Sequence, residues 1–122
     1  MSEAFYHGTR AAYGRGGYLF PRSWHGGAAT TAPVATGREP APDAADWVYV
    51  TTSLTVAWVY AWCAPGRGKP KVLVVRPSGT LEPDPEHSPR MEAYRCESAR
   101  VLSILREPVM TGEEARSGWI LR

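Results

Sequence analysis

One stretch of this chain carries helical spacing, and it stands between two strand-like runs. Leu54, Ala57, Trp58 and Ala61 recur at the interval that lines up apolar side chains on one helix face. Thr52 or Ser53 offers a hydroxyl to the N-cap, and Pro65-Gly66 ends the helix. Ahead of it, Trp47-Val48-Tyr49-Val50-Thr51 alternates with the period of a strand. Behind it, Lys71-Val72-Leu73-Val74-Val75 is a β-branched strand closed by Pro77-Ser78-Gly79. One main helix among strands restricts the chain to an α+β architecture, with the helix packed on a twisted antiparallel or mixed sheet.

The remaining elements are short. Ala4–His7 reads as a first strand, and Tyr18-Leu19-Phe20 as a second, stopped by Pro21. Residues 22–46 lack periodicity and hold His25-Gly26-Gly27, Pro33, Pro40 and Pro42, the pattern of a mobile loop beside a site. Glu82-Pro83-Asp84-Pro85 reads as a rigid acidic loop. Met91–Tyr94 and Ala99–Leu105 read as two more strands. Thr111–Arg116 fits a helical turn, with Thr111 and Glu114 spaced as a capping box. Trp119-Ile120-Leu121 reads as a last short strand. Twelve Gly and eleven Pro account for so many turns. At 122 residues the chain is expected to form a single domain spanning 1–122.

Bulk properties exclude several classes. A net charge of +2 argues against nucleic acid or an anionic membrane as the partner. The longest apolar run, Val56 to Ala64, is too short to span a bilayer. Cys63 and Cys96 form no disulfide framework and no metal-ligand spacing, so no metal is expected; both read as small buried hydrophobes. Without a secretory pattern at the N-terminus, a soluble cytoplasmic monomer is the expectation. No GxGxxG follows a strand and no GxxxxGK[ST] is present, which leaves out the Rossmann and P-loop sites.

Chemistry-bearing side chains cluster at element ends: His7 after the first strand, Tyr49 in the third, Asp84 in the acidic loop. Each has a plain structural reading, as a hydrogen-bonded histidine, a strand aromatic and a turn aspartate. Gly8 follows His7 directly, and a glycine lets a ligand approach the backbone closely. An imidazole beside bare backbone amide groups suits a ligand carrying a ribose and a carboxamide. Glu97 is a second acidic candidate, set against a surface residue ahead of a strand. Arg10, Arg22 and Arg95 are candidates for phosphate, since a planar guanidinium pairs well with its oxygens. Trp24 and Trp47 flank the long loop and form either an apolar wall or core. His25 and His87 lie in loops and read as exposed.

Four segments in this order resemble the rifampin ADP-ribosyltransferases: Phe5-Tyr6-His7-Gly8-Thr9, Val48-Tyr49-Val50-Thr51, Pro77-Ser78-Gly79 with Glu82-Pro83-Asp84-Pro85, and Tyr94-Arg95-Cys96-Glu97 before the strand Ala99–Leu105. The resemblance covers Ala4 to Leu105. It implies a compact ADP-ribosyltransferase-like fold of the diphtheria-toxin or poly(ADP-ribose) polymerase kind. It also implies NAD as co-substrate and a rifamycin hydroxyl as acceptor. By the same resemblance, His7 meets the nicotinamide-side ribose, Gly8 pairs its backbone with the carboxamide, and Tyr49 stacks on the nicotinamide. Asp84 completes the His–Tyr–Asp set, and Thr9 and Thr51 are further contacts on the nicotinamide side. The chain departs from the family pattern at Pro83, where another acidic residue is usual, and in its longer 22–46 segment. Two other readings remain: the same fold acting on a protein or nucleic-acid acceptor, and a non-catalytic NAD-binding module.

Overall fold

The structure, a computed structural model, describes residues 4–21, 46–85 and 92–117. The long 22–46 segment up to residue 45, with Arg22, Trp24 and His25, lies outside the described residues, as do His87 and the expected strand at Trp119-Ile120-Leu121.

Among the described residues, five strands and two helices follow in the order β1 (Phe5–Thr9), β2 (Tyr18–Leu19), β3 (Val48–Thr51), α1 (Leu54–Cys63), β4 (Lys71–Pro83), β5 (Ala93–Leu105) and α2 (Gly112–Ser117). All strand pairings are antiparallel: β1 with β3 and β4, β5 with β2, β3 and β4. The pairings β1–β4–β5–β3–β1 therefore close into a circuit, with β2 added on the β3 side of β5. The architecture is α+β, as the single strong helix signal requires.

Three expectations change. The first strand does not end at His7 but runs on to Thr9, because Gly8 and Thr9 are paired with Val72 and Lys71 of β4. β4 does not stop at Pro77-Ser78-Gly79 but runs on to Pro83. β1 covers β4 only from Lys71 to Val75, so Pro77 stands on an edge where its missing N–H costs no ladder bond on that side. The register then shifts between Ser78 and Leu81, where Gly79 adopts φ +75, a left-handed value that glycine takes without strain. Likewise, the two expected strands after Met91 are one strand, Ala93–Leu105. Its middle, Arg95 to Ser98, is held in extended form by β4 along one edge and, as far as Cys96, by β3 on the other.

Apolar side chains on the inner face of the circuit build the first core: Leu19, Val48, Val50, Leu73, Val75, Cys96, Ala99 and Val101. A second core lies under α1, where Trp58, Val59 and Ala61 meet Val72, Met110 and Ala115. α1 buries more than the expected face, because Val56, Val59 and Cys63 are buried too. A helix apolar on all sides needs cover on all sides, and β1, β4 and α2 share that work. Ser53 is the N-cap: its Oγ accepts from Val56 N–H at 3.2 Å. Ala64 is already extended ahead of Pro65, as a residue before proline must be. α2 opens with the expected capping box, Glu114 N–H donating to Thr111 Oγ1 at 3.1 Å and Thr111 N–H to Glu114 Oε1 at 3.0 Å. Both cysteines are free and buried, and burial pushes the Cys96 thiol up to about 11, far from a reactive thiolate. Among the described residues, no helix is long and apolar enough to cross a membrane.

Candidate active site

The ladder between β1 and β3 holds one registered pair, Tyr6 with Thr51. Beyond it a side chain takes over: His7 Nδ1–H donates to the Tyr49 carbonyl at 2.7 Å. A carbonyl only accepts, so Nδ1 carries a proton. The sequence places these two residues in separate segments; the fold joins them through one bond. Gly8 has a reason of its own. A Cβ built there would lie 2.1 Å from Ala57 O and 2.5 Å from Ala61 N, so the glycine lets the backbone of β1 touch that of α1.

Asp84 follows the last residue of β4 and is 3% exposed. Its N–H donates to Ala93 O at 3.0 Å. Ala93 is registered with Thr51, and Thr51 with Tyr6. One row, Tyr6–Thr51–Ala93–Asp84, thus crosses the sheet. His7 lies one residue from that row and Tyr49 two. Strand alternation adds a distinction. Val48 and Val50 face the inner core, so Tyr49 faces the other way. Glu82 is registered with Arg95 and Arg95 with Tyr49, so the Asp84 end of β4 shares the Tyr49 face. His7 leaves β1 on the face of Phe5, which packs on the inner core, so its side chain starts on the opposite face from Tyr49 and Asp84 and meets β3 through its bond to the Tyr49 carbonyl.

Sequence reasoning missed Tyr60. It lies on α1, packed with Val56 and Ala93, away from the expected apolar face. Burial first, and then the Asp84 carboxylate and Cys63, push its phenol well above the usual tyrosine range. The phenol therefore stays protonated next to a buried carboxylate. The only hint in the sequence is a hydroxyl amid apolar helix positions.

The other candidates are placed as follows. Thr9 is buried, and its Oγ1 accepts from Ala11 N–H at 3.1 Å. Thr51 is buried, and its Oγ1 accepts from Ser53 N–H at 3.0 Å, shaping the entry to α1. Glu97 is exposed at the β4 bulge, where its Oε2 accepts from Thr80 N–H at 2.5 Å. That is a local structural task, four residues up β4 from Asp84. Arg10 donates to Gly68 O at 3.0 Å and to Trp62 O at 2.8 Å, with its guanidinium over the Trp62 ring. These bonds strap the end of β1 to the turn after α1. Arg10→Ala is expected to lower the unfolding free energy in urea by about 1–2 kcal/mol. Among the described residues, no group of three or more His, Cys, Asp or Glu side chains is placed to hold a metal ion.

Comparison with known proteins gives one finding that bears on this site. A family model described as rifampin ADP-ribosyl transferase matches residues 5–108, which takes in His7, Tyr49, Asp84 and all five described strands. No curated protein matches the chain.

Proposed function

The chain belongs to the rifampin ADP-ribosyl transferase family, and on that premise we propose that it moves the ADP-ribose of NAD onto a hydroxyl of a rifamycin or similar small molecule, releasing nicotinamide. Antibiotic modification is the family's activity; the acceptor and the residue roles are our reading. The fold is read as ADP-ribosyltransferase-like, with the donor held where β1 meets β3.

The observation that carries this reading is the His7–Tyr49 bond at the end of a one-pair ladder. It ties His7 to the backbone of the residue whose ring is read as the nicotinamide platform, and in this reading the imidazole meets the ribose hydroxyls. Tyr49 supplies an aromatic face for the nicotinamide. In the reaction the bond from ribose C1′ to the pyridinium nitrogen breaks, and its electron pair leaves with neutral nicotinamide. Positive charge builds on the ribose, as in glycoside cleavage. Asp84, a carboxylate fixed by its backbone bond to Ala93, stabilises that charge where it develops. The acceptor hydroxyl then bonds to C1′ and loses its proton to Asp84 or to water.

Purified protein with NAD and rifampin is expected to yield nicotinamide and ADP-ribosylated rifampin in equal amounts, read by mass spectrometry. Nicotinamide without the adduct would move the acceptor to a protein, a nucleic acid or water. NAD binding with no nicotinamide would leave a binding module.

A further inference from the structure

The face that carries Tyr49 and Asp84 also carries an ion pair that the transfer chemistry does not use. Arg95 is registered with Tyr49 on one edge of β5 and with Glu82 on the other, so the three form a row across β3, β5 and β4. Arg95 Nε donates to Glu82 Oε1 at 2.6 Å, and Nη2 contacts the same oxygen. The guanidinium carbon stands 4.4 Å from the centroid of the Trp47 ring, two residues before Tyr49 on the same face. The Arg95 side chain is 15% exposed and that of Glu82 39%, so the guanidinium is the shielded partner of the pair.

The tie sits two residues before Asp84, at the last stretch of β4: Glu82 is bound to Arg95 by its side chain, and Asp84 N–H is bound to Ala93 O at 3.0 Å. We infer that Arg95 is a positioning residue: clamped between Trp47 and Glu82, it fixes the separation between Tyr49 on β3 and Asp84 at the end of β4. The planar fork and the stack are both in use, and lysine has neither. The kinetic side of this inference rests on the transferase reading; the structural side stands apart from it.

The test uses Arg95→Met, Glu82→Gln and the double variant of the full chain. Glu82→Gln keeps the side-chain size and covers the case in which Arg95→Met fails to fold. Amide exchange at Asp84 is expected to quicken about tenfold in each variant, as its strand end opens locally, while Leu73 and Val101 keep their rates. kcat for nicotinamide release is expected to fall about tenfold to a hundredfold, with KM for NAD within about threefold of wild type. The double variant should be no worse than the worse single one, because the pair acts as a unit. Unchanged Asp84 exchange overturns the inference, and so does unchanged kcat in an active wild type. A wild type that releases no nicotinamide overturns the transferase reading instead, and the exchange measurement still decides the role of Arg95.

Discussion

Gly8→Ala is expected to lower the melting temperature by about 10 °C or more. The added carbon would stand 2.1 Å from Ala57 O and 2.5 Å from Ala61 N, distances that real Cβ atoms do not show. Both neighbours are helix backbone, so neither can swing aside like a side-chain tip. α1 would have to lift from β1. That lift would open the core in which Trp58, Val59 and Val72 are wholly buried. Overpacking of this kind costs about 3 kcal/mol, more where the backbone itself must move. Gly14→Ala is the matched control: nothing lies within 4 Å of its added carbon, and its cost is expected to stay within about 0.5 kcal/mol. Circular dichroism melts of the two variants decide the matter. A Gly8→Ala protein that melts like wild type would mean that α1 does not sit on β1 as described.

That prediction also marks where the sequence was readable. α1, β1, β3 and the Thr111–Glu114 capping box announce themselves through neighbours within one or two turns, so spacing alone finds them. Gly8 was singled out for its closeness to a ligand, whereas the structure gives it a partner in α1, about fifty positions on. Nothing local could reveal that contact. β4 hid its second half for a related reason. Pro77 and Gly79 are strand-ending residues by local rules, and only the edge position and the bulge make them tolerable. The site divides the same way. His7, Tyr49 and Asp84 are legible as residue types, although His7 lies inside β1 and Tyr49 inside β3, and only Asp84 stands at the end of a strand. The bond from His7 to the Tyr49 carbonyl, the approach of Tyr60 to Asp84 and the Arg95–Glu82 bridge are cross-strand or helix–sheet contacts, so they appear only in three dimensions. Arg10 and Glu97 were legible as charges, and the fold sets both to hydrogen bonds with nearby backbone.

Asp84→Asn is expected to slow nicotinamide release from NAD by about a hundredfold to a thousandfold, the usual cost of losing one charge-stabilising group in a closed site. Asparagine keeps the size and the backbone bond to Ala93 and removes only the negative charge, so KM for NAD and the melting temperature should move little. Tyr60 provides an independent signature. Asp84 is the second cause, after burial, of its raised ionisation. Removing the charge should therefore bring the Tyr60 transition down in an alkaline ultraviolet titration, without returning it to the ordinary value. The sign extends to stability. A tyrosine whose folded pKa lies above its unfolded one stabilises the fold below the unfolded value of about 10. That contribution fades as pH rises from there toward the folded value. Asp84→Asn should narrow that alkaline window while leaving neutral pH untouched. Glu97→Gln supplies the contrast: it loosens the bulge at Thr80 and should leave kcat near wild type. Should Asp84→Asn keep full turnover while Glu97→Gln abolishes it, the carboxylate facing the ribose is the exposed one at the bulge, and the row from Tyr6 to Asp84 has no part in the chemistry.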